Sequence, residues 1–217
     1  CIKQIIDPEA PESRFAIDWE LKRQKLNGQD LVISSFDQNA LEVALKLKDK
    51  DLASTHISVF SVGEASASAA LKTALSMGAH EAILITDPAL RYAPALRIAA
   101  ALACAIKKMP PYNLILSGCV SGDWGEGIVG ALIAEILSVP FLACATAVQA
   151  REDGLLQITR AGENGLEVWE GTNPLSLSVI SNATNTPRYP KLKDIMAASK
   201  KQIPVWSAAE IGFNPAA

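Results

Sequence analysis

Through the first two thirds of the 217-residue chain, short apolar runs alternate with stretches of helical periodicity, and this alternation limits the fold more than any other feature. Strands separated by helices are joined by crossovers, so neighbouring strands run parallel and both sheet faces are covered. Residues 1–6 read as the end of a strand. Residues 14–18 and 30–33 are expected to form a small hairpin that interrupts the alternation. Asp37 is placed to cap a helix over 39–50, whose Leu41, Ala44, Leu45 and Leu47 recur on one side. Residues 56–62 form the next strand, followed by a helix carrying Ala67, Ala70, Leu71, Ala74 and Leu75, with Gly78 placed to end it. A strand at 81–85, a helix at 93–108 stopped by Pro110-Pro111, a strand at 114–116 and a helix at 128–137 continue the pattern.

The last third changes character. Residues 142–150, 155–160, 166–170 and 175–181 read as successive strands joined by polar turns such as Asp153-Gly154 and Asn164-Gly165, an antiparallel extension. The expected fold class is therefore α/β, a doubly wound and mostly parallel sheet with an antiparallel C-terminal extension. Beyond it, the low periodicity of the tail and its Pro204 and Pro215 give little reason for it to pack on this chain alone.

Composition excludes several functions. A net charge of -3 does not suit a surface built to neutralise nucleic-acid phosphates. The most apolar window, 93–106, contains Arg97 and is shorter than the roughly 20 residues that span a bilayer, so membrane insertion is not expected. Cys1, Cys104, Cys119 and Cys144 are scattered, without a CxxC pair or a nearby histidine, which argues against zinc, iron–sulfur clusters and disulfides. A reducing compartment, the cytoplasm, is the expected home. His56 and His80 fall at a strand start and in a turn, and no GxSxG elbow surrounds Ser121 or Asp123, so no hydrolytic constellation is expected and no catalytic side chain is assigned.

The segment most informative about function is the glycine-rich stretch from Ser117 to Gly130, between a strand and a helix. In doubly wound sheets, ligands bind beyond the carboxyl ends of the strands, where glycines let backbone N–H groups approach a phosphate at a helix N-terminus. The stretch is neither GxGxxG nor a P-loop, and taken alone it reads equally as a phosphate cradle or an ordinary connection. Trp124 stands out, because a large ring in a glycine loop must stack on something or be shielded by a neighbour.

Four separated segments carry a resemblance. They are Cys1-Ile2-Lys3-Gln4-Ile5-Ile6-Asp7, the run Phe36-Asp37-Gln38-Asn39-Ala40-Leu41-Glu42 continuing to Lys48, Ala74-Leu75-Ser76-Met77-Gly78-Ala79, and Asn185-Thr186-Pro187-Arg188-Tyr189-Pro190-Lys191-Leu192 continuing to Ala198. Together, and in this order, they resemble the β subunit of electron transfer flavoproteins, known in nitrogen-fixing bacteria as the FixA type. The fourth segment, similar to the family's Asn-Glu-Pro-Arg-Tyr-Pro-Ser-Leu, is the most specific. The family's nucleotide loop aligns with 118–130 without a gap. Asp123, Val129 and Gly130 are retained, whereas Cys119 stands for a basic residue, Val120 and Ile128 for glutamines, and Gly125 for an aspartate. Ser34-Ser35 likewise stands for Asn-Pro.

The resemblance implies an adenine-nucleotide-binding architecture over residues 1–185, a partner-recognition segment over 186–201, and a tail over 202–217 that packs on a partner. It implies a heterodimer with an α subunit, an FAD shared with that subunit, and AMP or a second FAD in this chain. The cofactor-binding residues carried over are Cys1, Ser34, Phe36, Asp37, Val62, Ser121, Gly122, Asp123, Trp124, Gly125, Glu126, Gly127, Ile128, Val129 and Gly130. Tyr189, Leu192, Ile195 and Met196 would dock a flavin dehydrogenase such as an acyl-CoA dehydrogenase, although Leu192 could instead pack beneath its own loop. A stand-alone adenine-nucleotide module is the alternative function. It would show a complete phosphate loop and lack the Asn-x-Pro-Arg-Tyr segment, the reverse of what this sequence has.

Overall fold

The computed structural model describes residues 1–51 and 54–214. In chain order its elements are β1 (Gln4–Ile6), β2 (Ile17–Asp18), β3 (Arg23–Gln24), β4 (Leu31–Ile33), α1 (Ser35–Lys50), β5 (Ser58–Val62), α2 (Ser68–Met77), β6 (Glu81–Ile85), α3 (Ala95–Lys107) and β7 (Leu114–Gly118). They are followed by α4 (Val129–Leu137), β8 (Phe141–Ala150), β9 (Leu156–Gly162), β10 (Gly165–Gly171), β11 (Leu175–Val179), α5 (Leu192–Ser199) and β12 (Val205–Trp206). Of the tail expected to find little to pack on in this chain, Pro215 lies outside the described residues, but the part before it does pack here: β12 pairs with β6, and Ala208 and Ile211 are buried, the apolar side chain of Ile211 filling the core beside α3.

Two parallel blocks meet side by side. In one, β12, β6 and β5 are neighbours; in the other, β7 and β8 flank β11, all three parallel. The chain just before β1 stitches them together, since the nitrogen of Cys1 donates to Leu116 O (2.7 Å) and Ile2 N to Phe60 O (2.9 Å). Beyond β8, the strands β9 and β10 continue as antiparallel hairpins.

Period-two alternation explains why helices cover both faces. In β6, Ala82 and Leu84 join one core with α1 and α2, through Leu41, Leu45, Leu71 and Ala74. Ile83 and Ile85 point the other way, into a second core with α3 and α4, through Ala99, Leu102, Ala105 and Ile133. This is the doubly wound α/β arrangement. A third core joins Ala40 and Val43 of α1 to Ala145, Ile158, Leu177 and Val179. Helix α1 therefore packs under both blocks of the sheet.

Three local expectations are corrected. Residues 14–18 and 30–33 do not pair with each other: β2 pairs with β3, and β4 pairs antiparallel with β1. The longer-range partner wins because β4 sets Leu31 and Val32 against Ile6 and Ile5 of β1. Asp37 does not cap α1, which begins at Ser35; its carboxylate is drawn off the helix by two N–H donors from other segments. Finally, 175–179 is no antiparallel edge. It lies parallel between β7 and β8, and all five of its residues are buried. Its Leu-Ser-Leu-Ser alternation looks half-exposed, but helix α4 packs over this strand and the small serines are buried as fully as the leucines.

Because Leu177 is wholly buried in this central strand, Leu177→Ala should lower unfolding free energy by about 3 kcal/mol in urea titrations, the cost of a cavity that cannot collapse.

Candidate functional site

The carboxyl ends of the parallel strands converge on the start of α1. There the Asp37 carboxylate accepts a hydrogen bond from Lys3 N on Oδ2 and another from Gly118 N on Oδ1, both at 2.8 Å. Close approach dictates glycine at 118, since a Cβ would lie 2.7 Å from Asp37 Oδ1 and 2.8 Å from Phe36 Cβ. The loop after β7 is then tied down along its length. Cys119 N donates to Val179 O (2.8 Å), Gly122 N to Ser34 Oγ (3.2 Å) and Gly125 N to Ser121 O (3.1 Å). Asp123 Oδ1 accepts from Lys3 Nζ and from Trp124 N, each at 2.8 Å.

At its far end the loop turns into α4. Gly127 has φ +70°, and a Cβ there would come within 3.0 Å of Cys119 O, so both backbone and space call for glycine. Ile128 precedes the helix and supplies no side-chain acceptor, which leaves the first-turn N–H groups of α4 without a side-chain cap. Beneath that turn lies the buried Ser117 Oγ, which has no hydrogen-bond partner, and a Cβ on Gly130 would overlap it. Uncapped amide donors and an unsatisfied hydroxyl at a helix N-terminus form a setting that favours an anion.

The structure brings the cofactor-binding residues expected from sequence into one neighbourhood. Ser34 and Asp37 are buried under the loop, and Phe36 abuts Gly118. Cys1, Val62 and Val129 all pack against the same core. The stretch 122–128, with Gly122, Asp123, Trp124, Gly125, Glu126, Gly127 and Ile128, is exposed around the mouth. Trp124 remains 67% exposed, so the described residues leave most of its ring open. His56 and His80 stack on each other at the amino ends of β5 and β6, the end of the sheet away from the loop. Lys3 and Ser117 were not singled out from sequence. Lys3 was within reach, since it stands in the first resembling segment; Ser117 was not, because only packing shows its hydroxyl to be unpartnered.

Among the described residues no group of three or more His, Cys, Asp or Glu is placed to hold a metal ion, and no described helix is long and apolar enough to cross a membrane. The electrostatics centre on Asp37, whose carboxyl is pushed up to about 6 by burial, against the opposing hydrogen bonds from Gly118 and Lys3. At Asp123 burial acts upward, but hydrogen bonds from Lys3, Ser121 and Trp124 outweigh it and hold the carboxyl below its usual range. Burial raises the Cys119 thiol.

A second surface lies on α5 and the residues just before it. Tyr189 is 96% exposed and Leu192 74%, with Ile195 and Met196 exposed beside them at helical spacing. Leu192 therefore does not pack beneath its own loop. The opposite side of the helix buries Ala198 in the core shared by α1 and α2.

Fold and loop together define a largely parallel α/β protein with a glycine-rich loop at the carboxyl ends of its strands. A family model described as "Electron transfer flavoprotein domain" matches residues 22–211. Over all 217 residues, the chain is 36% identical to the electron transfer flavoprotein subunit beta of Clostridium acetobutylicum, covering 80% of that protein. It is 38% identical over 96% of its length to the subunit beta of Syntrophomonas wolfei, covering 79% of it, and 33% identical over its whole length to the caffeyl-CoA reductase-Etf complex subunit CarD of Acetobacterium woodii, covering 80%. The chain belongs to the electron transfer flavoprotein family and is similar throughout to its β subunits, which makes electron transfer its class of function.

The raised Asp37 carboxyl has a pH signature. Between its ordinary 3.8 and about 6 the folded protein holds a proton that the unfolded chain has released, so this group makes stability fall as pH rises through that window. Asp37→Asn should make the thermal midpoint less dependent on pH between those values, measured in a series of buffers at constant ionic strength.

Proposed function

We propose that this chain is the β subunit of a heterodimeric electron transfer flavoprotein, and that its loop at 117–130 holds the phosphate of an adenine nucleotide, AMP or a second FAD. The observation that carries the nucleotide assignment is the uncapped N-terminus of α4 above the unpartnered Ser117 hydroxyl. Backbone N–H groups can bind phosphate whatever side chains surround them, so replacement of the family's basic and amide residues at Cys119, Val120 and Ile128 does not remove the donors. Asp123 is engaged with Lys3 and the amide of Trp124, so its role is to hold the loop in shape rather than to meet the phosphate.

A redox FAD shared with the α subunit would rest against the exposed side of this loop, where Trp124 and Ile128 stand open. When bound, that flavin supplies the one- and two-electron chemistry, while the protein orients it and tunes its surroundings. Apolar side chains exposed elsewhere, Trp19 on the β2–β3 turn and Leu166, Val168 and Trp169 on the outer strand β10, offer the α subunit surface to cover. Tyr189, just before α5, and Leu192, Ile195 and Met196 on it form a small apolar patch suited to brief encounters with a flavin dehydrogenase, of which an acyl-CoA dehydrogenase is the type. The name of the relative CarD, from a caffeyl-CoA reductase complex, supports a partner that acts on CoA thioesters. A cytoplasmic location fits this role.

Co-purification with the α subunit, denaturation and chromatography of the released nucleotides should give FAD together with AMP, or FAD in about twofold excess over this chain where a second FAD replaces it. In the same complex, Gly127→Val should reduce bound nucleotide sharply by filling the approach and straining φ. Wild-type adenylate content in that variant would mean that the loop is an ordinary strand-to-helix connection.

A further inference from the structure

The exposed patch on α5 raises a mechanical question, because its amino-terminal half has almost no packing of its own. Tyr189 and Leu192 are the most exposed apolar side chains around the helix. At the other end, Ala198 is buried and Ser199 O accepts from Lys72 Nζ (2.8 Å). What holds the exposed end is Arg188, the residue just before Tyr189.

Arg188 is fixed through both main chain and side chain. Its backbone N donates to Glu42 Oε2 (3.1 Å), its Nε to the same oxygen (2.9 Å) and its Nη2 to Glu42 Oε1 (2.9 Å), forming a two-pronged pair with a buried carboxylate. A second carboxylate, Asp49, takes Nη2 on Oδ2 at 2.7 Å and Nη1 on Oδ1 at 3.3 Å. Hydrogen bonds from Arg188 hold the Asp49 carboxyl below its usual range, and both carboxylates raise the guanidinium further. Both carboxylates belong to α1, seven residues apart on one side of the helix. Just upstream, α1 grips the chain again, where Asn39 Nδ2 donates to Asn185 O (3.0 Å). The buried Asn185 in turn donates to Thr146 O and Ile180 O.

We propose that Arg188 is a positioning residue for electron transfer: its fork onto Glu42 and Asp49 sets the angle at which Tyr189 and Leu192 meet the donor protein, relative to the cofactor site at the other end of α1. This rests on the reading of the α5 patch as the donor-docking surface. Lysine cannot replace arginine here, because a single ammonium cannot engage Glu42 from two sides and reach Asp49 as well. Lysine does keep a positive charge beside the buried Glu42, so Arg188→Lys separates orientation from simple loss of charge pairing.

The test uses the intact heterodimer with a cognate acyl-CoA dehydrogenase as donor, comparing wild type, Arg188→Lys and Leu192→Ala. KM for the donor and kcat are measured, together with flavin content, thermal midpoint and the rate of flavin reduction by dithionite, which requires no docking. For Arg188→Lys, KM should rise roughly tenfold, within what an ångström of misplacement costs, with kcat, flavin content and dithionite reduction unchanged. A raised KM for Leu192→Ala beside an unchanged KM for Arg188→Lys overturns the positioning role and leaves the docking surface standing. Unchanged KM in both variants overturns the docking surface and the positioning role with it. A parallel fall in flavin content or dithionite reduction shows Arg188 to be merely structural and also overturns the proposal. Should Arg188→Lys fold poorly, Asp49→Asn reads the same contact, because Asp49 is an exposed carboxylate whose loss costs little stability. Its KM should rise by a smaller factor, and an unchanged value counts against the proposal.

Discussion

The Asp37 carboxylate, shared between the backbone amides of Lys3 and Gly118, is the contact on which the rest of the site depends. It joins the first strand, the end of β7 and the first turn of α1, three segments far apart along the chain. Burying a carboxylate is costly, as its pKa near 6 records, and the two backbone donors offset that cost only in one geometry. The loop after β7 is thereby anchored at its root. Its remaining ties, to Ser34, Val179 and Lys3, then decide where α4 begins and where its free N–H groups point.

Helix α1 carries this arrangement across the molecule. Leu41 and Leu45 sit in one core and Ala40 and Val43 in another, so apolar burial immobilises the helix from two sides. Its polar positions serve as anchors. Asp37 takes the glycine-rich loop, Asn39 takes the chain at Asn185, and Glu42 with Asp49 take Arg188. The glycine-rich loop is thus tied to the first turn of α1 and the chain leading into α5 to its middle, while α5 itself packs against α2.

Much of the architecture could be read in advance because hydrophobic periodicity is a local property. The strand Glu81–Ile85 was expected with the bounds it has, and Gly78 ends α2 with a φ of 128° that its lack of a side chain permits. The expected cofactor residues also converge, since they lie at strand ends that a parallel fold brings together. At Asp37 local sequence offers a helix cap and cannot show two amides waiting on other segments. Polar turns between successive strands suggest that β11 continues an antiparallel series, and local sequence cannot show that it inserts parallel between β7 and β8, with α4 packed over its serine face.

By itself, then, the sequence determined the order and type of most elements, the parallel character of the first two thirds and the family, all of which follow from periodicity and from residues a few positions apart. Tertiary structure alone decided which groups lack partners and which are held: the free hydroxyl of Ser117, the exposure of Leu192 and the grip of Glu42 and Asp49 on Arg188. The physical reason is the range of the forces involved. Secondary structure answers to neighbours within a turn or a strand, whereas burial, desolvation and ion pairing depend on what the folded chain brings from a hundred residues away.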